Sequence, residues 1–176
     1  YIQMMKSDIW KDILSSIEHY NLPPECLCAE LTESGYTDIT PYFNTLRKKF
    51  EEKKIQFVLD DFGTGFSNLH CITDMNPNYV KLDKDFTAKA MSNARDYELL
   101  NKIVELVHSI DIRICIEGIE KEEWYQKLKE IHVDYLQGYL FGKPCEKNQF
   151  LNQFVFNCTE MNREIKGDRT KYSATN

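Results

Sequence analysis

No stretch of this 176-residue chain approaches the roughly 18 consecutive apolar residues of a membrane-spanning helix, and no signal-like leader opens it. A membrane span within the chain is therefore not expected. A surplus of positive charge is missing too. Twenty-two Lys and Arg stand against 28 Asp and Glu, a net charge of -6, which argues against a general binder of DNA or RNA polymers. The six cysteines, Cys26, Cys28, Cys71, Cys115, Cys145 and Cys158, lack the paired spacings of a zinc site. Cys26, Cys28 and Cys115 lie in apolar runs and read as small buried hydrophobes, with reduced thiols and a cytoplasmic location. His19, His70, His108 and His132 are scattered, and none is assigned to a metal. Internal repeats are absent beyond an alternation of short apolar runs and helical patterns. What remains is ordinary globular material, 42% hydrophobic and 28% charged.

Within that material, apolar runs repeatedly end in polar groups. Ile55-Gln56-Phe57-Val58-Leu59 reads as a buried strand and runs into Asp60-Asp61-Phe62-Gly63-Thr64-Gly65-Phe66-Ser67-Asn68-Leu69. Two adjacent carboxylates at the end of an apolar strand repel each other and resist desolvation. A hard divalent cation relieves both problems, and the glycines allow close backbone approach to a ligand. A surface turn whose acids merely cap the next helix is the other reading of this segment. The layout recurs, however. Cys26–Glu33 ends in Glu30 and Glu33, Tyr79–Asp83 carries Lys81, Ile112–Glu120 ends in Glu117 and Glu120, and Val133–Tyr139 ends in Gln137.

Helical patterns separate these runs. Phe43, Leu46 and Phe50 mark one after Thr40-Pro41; Tyr97, Leu100, Ile103, Val104 and Val107 a second; Trp124, Leu128 and Ile131 a third. Strand-helix alternation implies parallel strands, so the polar ends gather at one edge of the sheet, where barrels of this class build their chemistry. Period two puts Tyr79, Lys81 and Asp83 on one face. Facing inward, Lys81 pairs with carboxylates or donates to a phosphate oxygen; facing outward, it is a snorkelling edge lysine.

Glu30-Leu31-Thr32-Glu33-Ser34, Asp60 to Ser67, Lys81-Leu82-Asp83, Glu117-Gly118-Ile119-Glu120 and Gln137 to Pro144 resemble the successive signatures of the EAL domain in order and spacing. The resemblance implies a TIM-barrel-like α/β fold that hydrolyses cyclic di-GMP to linear pGpG with Mg²⁺ or Mn²⁺. It implies Glu30, Asp60, Asp61 and Glu117 as metal ligands, Glu117 also holding or deprotonating the attacking water. Lys81 would orient that water and offset phosphate charge, and Gln137 would position it. Glu33 and Glu120 would support the site, Glu33 by anchoring the loop that contains Gly63, Thr64, Gly65, Phe66 and Ser67. That loop is expected to be mobile without ligand.

The Glu-Ala-Leu tripeptide that names the family does not occur, and a family Asn ligand would fall just ahead of Tyr1. The chain is therefore expected to form an incomplete barrel of about five parallel strands out of eight with flanking helices. Residues 1–157 form that domain and residues 158–176 a polar tail or linker. The Glu30 strand should be an open edge, favouring a homodimer, and hydrolysis should be impaired. A degenerate domain acting as a non-catalytic cyclic di-GMP receptor or dimerisation scaffold is the alternative. The whole protein can carry membrane anchors in other domains.

Overall fold

Alternation of apolar and polar residues along the strands decides which side of the sheet the helices cover. This computed structural model describes residues 9–32, 41–64 and 69–156. The elements are α1 (Ile9–Tyr20), β1 (Cys28–Thr32), α2 (Pro41–Glu52), β2 (Gln56–Phe62), α3 (Leu69–Met75), β3 (Tyr79–Leu82), α4 (Lys84–Ser92), α5 (Ala94–His108), β4 (Arg113–Ile116), α6 (Glu122–Glu130), β5 (Tyr135–Leu136) and α7 (Lys147–Phe150). The five strands form one parallel sheet in the order β1-β2-β3-β4-β5, with β1 at one edge and β5 at the other. Each strand pairs with its successor in sequence, the arrangement of a barrel segment. None of the helices described is long and apolar enough to cross a membrane.

Leu31, Phe57, Leu59, Val80, Leu82, Ile114 and Ile116 point to the helical side. They share one buried cluster with Phe43, Leu46 and Phe50 of α2, Ile72 and Met75 of α3, Leu100, Val104 and Val107 of α5, and Leu128 of α6. At about 25 cal/mol per Å² of apolar area, these fully buried side chains are the main stabilising term. Val58 and Cys115 are buried but stand outside that cluster, on the other face. That inner face also carries Tyr79, whose hydroxyl donates to Cys28 Sγ at 3.4 Å, and Tyr135, whose ring lies 5.5 Å from that of Tyr79.

The structure departs from the sequence reading in three places. Cys26 and Cys28 are exposed rather than buried: Cys26 sits in a 3-10 turn before β1, and Cys28 is on the inner face of an edge strand. Asp83 does not continue the face of Tyr79 and Lys81; β3 ends at Leu82 and Asp83 caps α4. Short α3 and α4, absent from the helical patterns above, fill the connections on either side of β3.

The chain divides after Phe141 into two units. The first holds the sheet. In the second, α7 passes into a wider turn at Leu151–Phe156, and the rings of Phe150 and Phe154 lie 5.2 Å apart.

Candidate active site

Lys81 organises the strand ends. Its side chain is only 8% exposed, and its Nζ lies 2.7 Å from Glu117 Oε1, 3.0 Å from Asp60 Oδ1 and 3.3 Å from each carboxylate oxygen of Glu30. The pairing register explains the convergence. Glu30 and Asp60 lie on neighbouring β1 and β2, Lys81 on β3, and Glu117 follows the last residue of β4, its N–H donating to Leu82 O at 3.1 Å. Burial works against the ammonium, but the hydrogen bonds and charges of Glu117 and Asp60 outweigh it and hold the Lys81 pKa above the ordinary lysine value. Lys81 is therefore a cation at neutral pH, a donor and not a base.

Asp60 and Asp61 are adjacent, so a regular strand would aim them at opposite faces. The structure avoids this with a bulge. The register advances from Leu59↔Val80 to Phe62↔Leu82, and Asp61 adopts φ +56°, the left-handed region that Asp tolerates better than most residues. The extra residue brings both carboxylates to one side, and Phe62 returns to the buried face. Asp61 N–H donates to Asp60 Oδ1 at 3.0 Å. Ligand oxygens of Asp60, Asp61 and Glu117 all lie within 4.8 Å of one another. Burial, and then the charges of Asp60 and Asp83, push the Asp61 carboxyl above the usual range. Beyond the bulge, Gly63 has φ +100°, and Thr64 closes the turn by donating to Asp61 O.

Gln137 follows β5, its N–H donating to Ile116 O at 2.9 Å and its carbonyl accepting from Ile119 at 3.1 Å. Gly138 makes this approach possible, since a Cβ there would lie 2.1 Å from Ile119 O. Gln137 lines a recess of about 220 Å³ together with Lys84, Glu117, Glu120 and Tyr139. Glu30, Asp60, Asp61, Lys81 and Glu117 thus meet, and Gln137 and Glu120 flank Glu117. Glu33, Gly65, Phe66 and Ser67 lie outside the described residues.

Two neighbours were given no role in the site by the sequence. Asp83, 8% exposed, accepts from the N–H groups of Asp85 and Phe86, and its charge reaches Asp61. Lys84 reaches the recess, and Gly118 leaves room for it: a Cβ at Gly118 would lie 2.6 Å from Lys84 Cβ. An Asp immediately before a helix was the available signal for the first. The inward Cys115 thiol, buried and beside Glu117, is pushed up to about 12 and stays protonated.

A hard cation suits this donor set: clustered carboxylate oxygens, in excess of the Lys81 charge, with no histidine or thiol in the cluster among the described residues.

The profile of the EAL domain matches residues 2–144. The signaling protein YkoW of Bacillus subtilis is 30% identical over 153 residues, covering 87% of this chain. The cyclic di-GMP phosphodiesterase PdeL of Escherichia coli is 31% identical over 129 residues, covering 73% of this chain. This chain spans 19% of the length of the first and 36% of the second. The solved EAL enzyme Bd1971, in a form with cAMP and cyclic-di-GMP bound, superposes with a TM-score of 0.78 at 31% identity, over 85% of this chain and 40% of that one.

Proposed function

The chain belongs to the EAL domain family, and on that premise we propose that its strand-end cluster serves metal-dependent hydrolysis of cyclic di-GMP to linear pGpG. The observation that carries the reading is one buried lysine joined to carboxylates of three different strands or strand ends, with Asp61 added by a bulge. The similarity to PdeL and to Bd1971, a cyclic di-GMP phosphodiesterase and an EAL enzyme with that nucleotide bound, supports the substrate class.

Asp60, Asp61 and Glu117, with Glu30 at the edge, would hold Mg²⁺ or Mn²⁺. Such an ion, when bound, lowers the pKa of water and offsets charge on the phosphoryl oxygens. The chain's own groups divide the remaining work. Glu117 accepts the proton of the attacking water, as a carboxylate held against Lys81. Lys81 is fixed and charged, so it donates to a phosphate oxygen as negative charge grows there. Gln137 and Lys84, on the rim beside Glu117, orient the water and the phosphate. A second-messenger substrate supports a cytoplasmic domain, and the unpaired β1 edge supports contact with a second copy there.

Chromatographic measurement of pGpG release tests the reading, using this chain alone and joined to the preceding strands of a complete EAL domain, with Mg²⁺ or Mn²⁺. Turnover by the completed domain that disappears in Glu117→Gln is expected. Tight nucleotide binding without any pGpG from either would leave the receptor role in its place.

A further inference from the structure

Asp61 owes its place beside Asp60 to backbone that does not hold itself. A non-glycine residue at φ +56° is strained and persists only where its surroundings over-determine it. The charges of Asp60 and Asp83 also act to drive the Asp61 carboxylate away. Within the turn, Asp61 N–H donates to Asp60 Oδ1 and Asp61 O accepts from Thr64, but these partners move with the turn. Restraint has to come from another element.

We propose that Phe86 of α4 supplies it, as a positioning residue for the acids, a role that rests on their reading as metal ligands. Its ring, set against Gly63, holds the bulge that turns Asp61 beside Asp60. A Cβ at Gly63 would lie 3.4 Å from Phe86 Cδ2 and 3.6 Å from Phe86 Cγ, so the ring meets bare backbone two residues after Asp61. Leu82 Cδ1, at 3.6 Å, closes the same side.

Three contacts make a closed circuit around the bulge. Phe62 O accepts from Asp83 N–H at 3.2 Å, Asp83 Oδ1 accepts from Phe86 N–H at 3.4 Å, and the Phe86 side chain returns to Gly63, the residue after Phe62. Asp83 also accepts from Asp85 N–H at 2.8 Å, which fixes the first turn of α4 where it leaves β3. The wedge is thereby held from the helix side and does not move with the turn. Thr87 and Ala90 are the buried residues of α4, whereas Phe86 is only partly buried at the margin of the core. Its most specific contribution is the contact with Gly63.

Backbone NMR and Mn²⁺ titration of the 176-residue chain test this. The intraresidue HN–Hα nuclear Overhauser effect of Asp61 reads its geometry without metal, because the two hydrogens come closest at positive φ. Phe86→Ala is expected to lose that strong signal and to weaken Mn²⁺ binding about tenfold or more. Phe86→Leu, which refills most of the space, should restore both. Ala90→Gly destabilises the same helix without touching Gly63; it should lower the urea midpoint and leave both readouts as in the parent chain. If Phe86→Ala does not fold, Phe86→Val takes its place with the same expected losses. An undiminished Asp61 signal in the Ala or Val variant would overturn the proposal. So would an equal loss in Ala90→Gly, or a weak signal in the parent chain. A parent chain that shows the strong Asp61 signal yet binds no Mn²⁺ would count against the metal reading, and the Asp61 signal of the variants would still decide the role of Phe86.

Discussion

Lys81 and Asp61 show how two residues reconcile a stable fold with a site that concentrates like charge. Lys81→Met leaves Asp60 and Glu117, both largely buried, without their cation. Losing one partner of a buried charge group costs about 3–5 kcal/mol, and the proposed hydrolysis by the completed domain is expected to fall at least about 100-fold. Urea unfolding checks the stability loss, and added Mg²⁺ should recover more of it in the variant than in the parent chain. Because the folded Lys81 pKa is raised, its contribution is complete below the unfolded value of about 10.4. It is lost only as the pH rises through the higher folded value. Asp61 works in the other direction. Its folded pKa is raised, so its charge weakens the fold at neutral pH and stability improves as the pH falls through that raised value. Asp61→Asn keeps the tolerance for φ +56° and removes the charge; it is expected to unfold at equal or higher urea concentration while binding Mn²⁺ more weakly. Asp61→Val keeps neither property, and its backbone strain should cost about 1–3 kcal/mol.

Between elements, Asp134 ties three together. Its carboxylate accepts from Ile114 N–H at 2.9 Å on β4 and contacts His108 Nε2 at 2.8 Å in the last turn of α5, just ahead of β5. Burial opposes ionisation of Asp134, but the Ile114 and His108 hydrogen bonds outweigh it and hold the carboxyl below the usual range. A depressed folded pKa contributes stability above the unfolded value of about 3.9, lost as the pH falls through the folded value. Asp134→Asn should therefore cost about 1–3 kcal/mol at pH 7, and the gap to the parent chain should narrow below about pH 4 in chemical denaturation. The elements legible in the sequence were those with one strongly apolar face. The strand cores and the α2, α5 and α6 stripes of Phe43, Leu46, Leu100, Val104 and Leu128 all pack where the periodicity put them. Helix α4 was not legible, because only Thr87 and Ala90 of its nine residues are buried. Cys28 misled because a small apolar residue looks the same on either face of an edge strand, and Cys26 because the apolar run begins in the 3-10 turn ahead of β1. Of the candidate site, the strand-end acids and Lys81 could be read from position alone. The bulge that turns Asp61 beside Asp60 could not, since it exists only in the pairing with β3.

For the whole sheet, the two edges differ from the centre in how their backbone groups are held. Among the described residues β1 pairs only with β2, whereas β3 is paired on both sides, so hydrogen exchange should be faster in Cys28–Thr32 than in Tyr79–Leu82. Protection of Cys28–Thr32 that rises with protein concentration would identify the second copy on this edge; protection equal to that of β3 at every dilution would rule out an open edge. The strand order has a consequence for biosynthesis as well. Because β1 to β5 lie side by side in the order of the chain, every strand after the first finds its partner already made as it leaves the ribosome. At about 5–20 residues per second, each strand waits only seconds for its neighbour. The sheet can grow by one strand at a time during translation, with Glu30, Asp60, Lys81 and Glu117 arriving at the site in the order in which they are synthesised.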